Sequence, residues 1–277
     1  MKDVYLQLYS LFGDIDKDFV GALERTAKAG YTGVEFAMSN YGDMPVEELA
    51  AYLKRLNLVP YSTHIRLWEL PETIEIAKKL GMPYIIIAGA YCYDLESARQ
   101  VARELNEAGE LCRQNGIQLG YHNHRGEFSK AENGQHLLDI MIENTDPEKV
   151  FFQMDVGWTV TAGIDWEAYM NKYSGRFRLI HVKETTTDAL GPSKMHDPKE
   201  GFKNADGKVE DKTVAVLKMR AERTWNTALG QGMVDWKRVK AVADAQGAKG
   251  YIDEREHDYC GDIFKCIEED AKFLHQL

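Results

Sequence analysis

The sequence predicts an α/β fold, a (β/α)8 barrel that spans residues 1–277 as a single domain with a long loop after strand seven. Short β-rich runs alternate with longer amphipathic runs from one end of the chain to the other. Such alternation is typical of parallel βαβ units. Eight units can be counted, and eight parallel strands close into a barrel of about 250 residues.

The predicted strands are short runs rich in β-branched and aromatic residues. They cover residues 4–9, 32–36, 59–64, 84–88, 117–123, 150–155, 177–183 and 250–254. An open, doubly wound sheet is the competing arrangement. It is disfavoured because no GxGxxG follows the first strand and no GxxxxGK[ST] occurs in the chain, so the phosphate-binding turns of such sheets are missing.

Amphipathic helical patterns lie between the strands. They cover residues 19–29, 46–56, 71–80, 95–114, 166–173 and 236–245. Glycine stands at the end of four of these patterns, as Gly30, Gly81, Gly116 and Gly247. Because glycine readily adopts the left-handed conformation that terminates a helix, these positions predict where the helices end.

One segment interrupts the alternation, since residues 184–233 separate strand seven from the helix that follows it. It contains a turn-rich, charged stretch from Gly191 to Lys208 and a helical pattern near residues 211–223. A loop of this length inside a barrel is either functional or disordered. Because it follows the C-terminal end of a strand, where barrel active sites lie, we favour a lid or an oligomer contact over a linker.

The charge balance is acidic, with 44 Asp and Glu against 34 Lys and Arg and a formal net charge of −10. Such a chain repels phosphate backbones, so no nucleic-acid partner is expected, but it accommodates a bound cation.

No apolar run approaches the ~20 residues of a membrane span, and no signal peptide is evident. The spacing of the cysteines predicts reduced thiols and a cytoplasmic location. They are Cys92, Cys112, Cys260 and Cys266.

Ionisable and aromatic side chains stand at the C-terminal ends of six predicted strands, where a barrel gathers its chemistry. They are Glu35, His64, His122, His124, Glu127, Asp155, Trp158, His181, Lys183, Glu254, Glu256 and His257. A strand in a barrel core would otherwise finish on apolar residues. Because the C-terminal ends of all the strands meet at one opening of the barrel, these residues together predict one shared site.

Asp, Glu and His together suit a divalent ion such as Mn²⁺, Mg²⁺, Co²⁺ or Zn²⁺, and the lack of Cys argues against structural zinc. Each residue alone has a plainer interpretation. A strand-end histidine is often a hydrogen-bonded structural residue, and Glu35 can pair with a lysine. Asp155 before glycine can form a turn, and Glu256 and His257 can be solvated. Their joint occurrence favours a catalytic metal site that substrate oxygens complete.

At these residues the sequence resembles the xylose isomerase-like TIM barrel superfamily. That superfamily includes sugar phosphate isomerases and epimerases, AP endonuclease family 2 proteins and inosose dehydratase. The matching stretches are GYHNH at 120–124, MDVGW at 154–158, HVK at 181–183, LGQG at 229–232 and IDE at 252–254. No single stretch is specific, but the five occur in order over essentially the whole chain.

The resemblance implies one divalent metal ion held by residues from strands five to eight. Carried to this sequence, the implied ligands are Asp155, His181 and Glu254, with Glu127 preferred as the fourth and His122 as its rival. Epimerases of the family usually have Glu where this chain has His122. Since they move the proton with two metal-bound glutamates, that departure puts simple epimerisation in doubt.

The remaining residues receive roles from their positions and from the resemblance. The candidate catalytic groups are Glu254, His122, His124 and Lys183, because imidazole suits proton transfer near neutral pH and a lysine can stabilise a developing oxyanion. The candidate substrate-binding residues are Glu35, His64, Trp158 and Glu256.

We therefore expect a metal-dependent sugar isomerase or epimerase that removes a proton next to the carbonyl of a keto-sugar or cyclitol through a metal-stabilised enediolate. The alternative is a dehydratase or lyase that uses the same metal site. An inactive sugar-binding barrel and an AP endonuclease are less favoured, since the latter needs several metals and a basic surface. No Arg or Lys cluster marks a phosphate pocket, which favours an unphosphorylated small molecule. The sequence is compatible with either a monomer or a homo-oligomer.

Overall fold

The computed structural model describes residues 1–193, 208–209 and 211–277. These residues form a closed parallel barrel, which confirms the predicted fold class. Neighbouring strands follow each other in sequence order, and the last pairs with the first. The strands are β1 (Tyr5–Gln7), β2 (Gly33–Phe36), β3 (Val59–Ile65), β4 (Tyr84–Ile87), β5 (Gln118–His122), β6 (Val150–Asp155), β7 (Phe177–Val182) and β8 (Gly250–Asp253).

Helices surround the barrel within the described ranges. They are α1 (Phe19–Ala29), α2 (Val46–Arg55), α3 (Leu70–Leu80), α4 (Leu95–Gln114), α5 (Leu137–Glu143), α6 (Val156–Thr161), α7 (Trp166–Lys172), α8 (Lys212–Glu222), α9 (Trp236–Ala245) and α10 (Ile263–Gln276). The six predicted helices are confirmed, and none of their ends moves by more than one residue. The prediction did not name α5, α6 and α10.

Helix ends follow the predicted chemistry. Gly30 and Gly81 end α1 and α3 in the left-handed conformation, with φ of 105° and 72°. At the other ends, carboxylate side chains accept from the first free backbone N–H groups, as Asp94 does at α4 and Asp235 at α9. These caps satisfy donors that the helix itself leaves without partners.

An aromatic layer fills the N-terminal end of the barrel. Tyr5 and Tyr61 stack with ring centres 3.8 Å apart, and Tyr84 packs edge-on against Tyr61. Gly33 makes room for this layer, because a Cβ there would lie 2.4 Å from the carbonyl oxygen of Val59. The layer closes one end of the barrel, so polar groups gather toward the other.

The helical pattern predicted near residues 211–223 is confirmed as α8. Most of the charged stretch between Gly191 and Lys208, and with it most of the predicted lid or oligomer contact, lies outside the described residues. Among the helices that are described, none combines the length and the apolar character needed to cross a membrane.

Candidate metal centre and active site

Four buried side chains meet at the C-terminal ends of β5 to β8. They are His122, Asp155, His181 and Glu254, and their potential ligand atoms all lie within 4.8 Å of one another. Asp155 Oδ2 is 4.0 Å from His122 Nε2 and 3.9 Å from His181 Nδ1. Two atoms that each lie about 2.1 Å from one ion are at most about 4.2 Å apart. The two distances from Asp155 Oδ2 therefore fit ligands of a single ion.

Asp155 shows that these residues fit a cation. Its Oδ1 accepts a hydrogen bond of 2.8 Å from the backbone N–H of Trp158. Its Oδ2 is buried and accepts none from the described residues, although Lys183 Nζ lies 3.4 Å away. Burial raises the pKa of Asp155 by more than Lys183 lowers it. Since a buried oxygen without a partner is costly, a divalent cation at this position would stabilise the carboxylate.

Glu35 orients the imidazole of His181. His181 Nδ1 lies 2.8 Å from Glu254 Oε2, while Nε2 lies 2.6 Å from Glu35 Oε1. Burial lowers the pKa of His181, but Glu35 and Glu254 outweigh it and raise the pKa to about 10. A metal-binding histidine commonly donates its other N–H to a carboxylate, which fixes the ring and its tautomer. The geometry thus leaves Nδ1 as the nitrogen that faces the cluster.

The position of Glu35 differs from the predicted substrate contact. The side chain is fully buried inside the barrel. Its carboxylate accepts hydrogen bonds from Gln7, Ser62 and Gln153 at 2.8, 2.6 and 2.9 Å. Because protein groups satisfy both oxygens, Glu35 supports the site from within rather than facing the mouth.

His64 is also buried rather than exposed toward a substrate. Its Nε2 lies 2.8 Å from Gln153 Oε1 and 2.9 Å from Glu35 Oε1. The ring stacks on His181, with ring centres 5.1 Å apart. Gln153 Oε1 also lies 3.0 Å from His122 Nδ1, so one amide links two of the histidines.

Glu127, the preferred fourth ligand, lies apart from the cluster. It sits in a short 3-10 helix (Gly126–Phe128). Its carboxylate accepts hydrogen bonds from Tyr121 Oη at 2.8 Å and from the backbone N–H of His124 at 3.0 Å. The structure brings the rival residue His122 to Asp155 instead. The reason is strand alternation, since His122 ends β5 with its side chain inside the barrel while Glu127 turns back to bond its own loop.

Lys183 and Glu256 form an ion-pair network beside the cluster. Lys183 is buried, and its Nζ donates to Glu254 Oε1 at 3.0 Å and also to Glu256. Burial would raise the pKa of Glu254, but Lys183 and His181 hold it well below its usual range. Glu256 pairs in addition with Arg223 and is 3% exposed, so it is not a solvated loop residue.

Trp158 forms an aromatic wall next to this network. Lys183 Nζ lies 4.6 Å from the centre of its ring, and the guanidinium carbon of Arg223 lies 4.9 Å from it. Cations over an indole face gain electrostatic stabilisation. The ring centres of Trp225 and His124 are 5.0 and 5.9 Å away. The side chain of His124 is 44% exposed, which places it at the opening.

Sequence reasoning missed several residues of this site. They are Gln7, Ser62, Gln153, Arg223 and Trp225. Strand alternation gave a usable signal for Gln153, which shares a face with Asp155, and for Ser62, which shares one with His64. Arg223 and Trp225 follow α8 in the long segment, and no pattern in that segment indicated that they reach the barrel mouth.

Glu184 holds that segment in place. Its carboxylate accepts hydrogen bonds from the backbone N–H of Gly230 at 2.9 Å and from Trp236 Nε1 at 2.8 Å. Its backbone carbonyl accepts from Asn226 Nδ2 at 2.8 Å. Glu184 therefore anchors both the LGQG stretch and Asn226, the neighbour of Trp225 in the chain.

Comparison with known protein families agrees with the closed eight-stranded barrel. The model of the xylose isomerase-like TIM barrel family matches residues 23–276, and the chain belongs to this family. The inosose dehydratase of Geobacillus thermodenitrificans is 28% identical in an alignment 266 positions long, which covers 87% of this chain and 83% of that protein.

Two solved structures have the same fold. A sugar phosphate isomerase/epimerase from Parabacteroides distasonis superposes with a TM-score of 0.74 and 25% identity, over 99% of this chain and 93% of that one. The IOLI protein, solved with a zinc atom, superposes with a TM-score of 0.69 and 14% identity, over 99% of this chain and 97% of that one.

Proposed function

We propose that this protein is a metal-dependent enzyme that removes a proton next to the carbonyl of a keto-sugar or cyclitol, and that loss of water follows. The observation that carries the proposal is the buried cluster of His122, Asp155, His181 and Glu254 at the open end of the barrel. Similarity to an inosose dehydratase over 87% of the chain supports dehydration as the outcome.

We propose His122, Asp155, His181 and Glu254 as the ligands. A divalent ion held there would polarise the substrate carbonyl and favour ionisation of the neighbouring C–H bond. Two imidazoles in the set favour Zn²⁺, Co²⁺ or Mn²⁺ over Mg²⁺, which prefers oxygen ligands.

His124 is the group that we propose to take the proton. Its side chain is 44% exposed, and its ring lies 5.9 Å from that of Trp158, so it borders the aromatic wall from the β5 side. An unprotonated imidazole is an effective general base. Trp158 lies next to both His124 and Lys183 and is 5% exposed, so it joins the two groups at the edge of the site while Lys183 and Arg223 cover its ring.

Lys183 is the group that we propose to give a proton to the departing hydroxyl. Its ammonium lies 3.4 Å from Asp155, bonds Glu254 and Glu256, and lies 4.6 Å from the centre of the Trp158 ring, so it reaches both the cluster and the aromatic wall. The same charge also stabilises an oxyanion that develops nearby. Arg223 forms an ion pair with Glu256 and also lies over the ring of Trp158, so it connects the ion-pair network to the aromatic wall.

Epimerisation or isomerisation is the second candidate. His124 follows β5 and Lys183 follows β7, and both lie next to Trp158, so one could return a proton that the other removes. The similarity to the Parabacteroides distasonis protein supports this reaction class. Dehydration ranks first because His122 stands where the proton-moving glutamate of the family's epimerases is expected.

One experiment separates the two reactions. The purified protein is incubated with inososes and keto-sugars in D₂O, and the molecular masses of the products are determined by mass spectrometry. Dehydration removes the mass of water, whereas epimerisation adds one deuterium without that loss. Chelation should abolish either reaction, and Mn²⁺, Co²⁺ or Zn²⁺ should restore it. Turnover that persists after the metal has been removed would contradict the proposal.

Variants test the two proton-transfer groups. His124→Gln and Lys183→Met should each lower kcat by about 10²- to 10⁴-fold, because general acid–base catalysis contributes an acceleration of that size. Lys172→Met is the matched control, since Lys172 is half-exposed on α7 and pairs with Asp139 at 3.1 Å. Equal activity of Lys183→Met and Lys172→Met would remove Lys183 from the mechanism.

A further inference from the structure

Two cysteines lie in contact with each other outside the proposed metal centre. Cys260 lies on the loop after β8, and Cys266 lies in the first half of α10. Their sulfur atoms are 3.2 Å apart. Cys260 is exposed and Cys266 is buried, while Cys92 and Cys112 are both buried.

The start of α10 holds the two sulfurs together. Asp262 caps the helix by accepting from the backbone N–H groups of Phe264 and Lys265 at 3.0 and 3.4 Å. Gly261 has a φ of 80°, a value at which glycine turns the chain without strain. The thiol of Cys260 donates to the carbonyl of Asp262 at 3.3 Å, so the turn directs it back over the helix toward Cys266.

The surroundings of the two thiols differ. Burial, followed by the hydrogen bond with Cys260, raises the pKa of Cys266 to about 12. A thiol attacks another sulfur as its thiolate and must be accessible to do so. Cys260 therefore meets a dissolved oxidant first, and Cys266 is placed to react with whatever forms on Cys260.

We propose that Cys260 and Cys266 form a reversible disulfide, which makes this loop a thiol-oxidation site. With glutathione disulfide as the oxidant, the Cys260 thiolate attacks one of its sulfurs and releases one glutathione thiolate. Cys266 loses its proton and attacks the Cys260 sulfur, which releases the second glutathione. Two protein thiols and one glutathione disulfide thus become one protein disulfide and two glutathione thiols.

The bond would join the loop after β8 to α10 beside the metal centre. That loop begins with Glu254 and Glu256, which belong to the ion-pair network described above. Arg255, between them, already bonds Asp270 of α10 at 2.8 Å. The proposal does not depend on the reaction that the barrel catalyses, because it concerns only the two thiols.

Peptide mapping tests the proposal directly. The full-length reduced protein is incubated with glutathione disulfide, its free thiols are blocked with N-ethylmaleimide, and it is digested with trypsin. Lys265 lies between the two cysteines, so cleavage separates peptide 256–265 from peptide 266–272. We expect these two peptides to be recovered cross-linked, and to separate when dithiothreitol is added.

Variants and metal analysis complete the test. Cys260→Ser should abolish the cross-link, whereas the matched control Cys112→Ser should retain it. Both thiols alkylated after oxidation, or a glutathione adduct that stays on Cys260, would overturn the proposal. It would also be overturned if the reduced protein held zinc that Cys260→Ser lost and Asp155→Asn kept, since the thiols would then be metal ligands.

Discussion

Asp155 serves two purposes with one carboxylate. Its Oδ1 caps α6 through the backbone N–H of Trp158, and its Oδ2 points into the cluster. The same residue thus offers a metal ligand and begins the short helix that carries the aromatic wall. Because both functions depend on where β6 ends, the MDVGW stretch links the proposed ligand to the aromatic wall.

Replacing Asp155 should separate these purposes. Asp155→Asn keeps an oxygen for the cap but removes the negative charge from the cluster. Loss of an outer partner of a ligand costs about 10- to 100-fold in metal affinity, so loss of the ligand charge should cost at least about 100-fold. Calorimetric titration with Mn²⁺ and Zn²⁺ measures this change. Wild-type affinity in Asp155→Asn would rule out a metal at this cluster.

His122 and Glu127 can be told apart in the same assay. His122→Ala should weaken metal binding by at least about 100-fold, because the structure places its imidazole beside Asp155. Glu127→Gln should leave the affinity within a few-fold of wild type, since Glu127 bonds Tyr121 and the His124 backbone instead. The reverse pattern would restore Glu127 as the ligand.

Glu35 should act on the metal through His181. Glu35→Gln keeps the shape of the side chain but weakens the hydrogen bond that orients the imidazole. We expect metal affinity to fall by about 10- to 100-fold, the range seen when such outer partners are lost. Calorimetry on Glu35→Gln and Glu127→Gln side by side provides the measurement, and equal affinities would show that Glu35 has no such role.

At the scale of elements, the carboxylate of Glu184 positions residues in the connection between β7 and α9. Glu184 lies two residues after the end of β7, and its carboxylate accepts hydrogen bonds from N–H groups of Thr185, Gly230, Val234 and Trp236. Gly232 is packed so closely that a Cβ there would lie 2.3 Å from Glu184 Oε1. In the described part of the connection between β7 and α9, residues 226–236 are therefore held in place by Glu184.

Removing that anchor should destabilise the protein. Glu184→Ala leaves several buried donors without an acceptor, and each such donor costs about 1–3 kcal/mol. We expect the free energy of unfolding to fall by at least about 3 kcal/mol, measured by urea denaturation. Glu167→Ala is the control, because Glu167 pairs with Arg238 at the surface and such pairs contribute about 0–1 kcal/mol. Equal losses in the two variants would contradict the anchoring role.

At the scale of the whole molecule, the barrel interior is divided in two. Stacked aromatic side chains, among them Tyr5 and Tyr61, occupy the end where the strands begin. Histidines and carboxylates occupy the end where the strands finish. The apolar layer supplies packing, while the polar layer gathers charges whose burial is costly without partners. A bound cation would offset that cost for the entire fold.

Metal binding should therefore raise thermal stability. A ligand that binds only the folded state at 100 times its dissociation constant stabilises it by about 2.7 kcal/mol. For a chain of 277 residues each kcal/mol moves the Tm by about 2 °C, so we expect a rise of about 5 °C on adding Mn²⁺ or Zn²⁺. Differential scanning fluorimetry measures it, with Asp155→Asn as the variant that should not respond. A rise of equal size in that variant would point to another site.

The sequence by itself determined the barrel and the place of its site. Strand–helix alternation has a period that can be read without contacts, and parallel strands bring their C-terminal ends to one edge. The strand ends therefore place Asp155, His181 and Glu254 at one opening, the resemblance to the family implies them as metal ligands, and the structure brings the three together.

Only the tertiary structure decided which side chains turn inward near the strand ends. It placed His122 rather than Glu127 in the cluster, and it made Glu35 an interior partner of His181. It also brought Arg223 to Trp158 from a distant segment. The physical reason is that a side chain leaving a strand or loop takes its direction from the path of the closed barrel and from the hydrogen bonds available there, which sequence spacing alone does not specify.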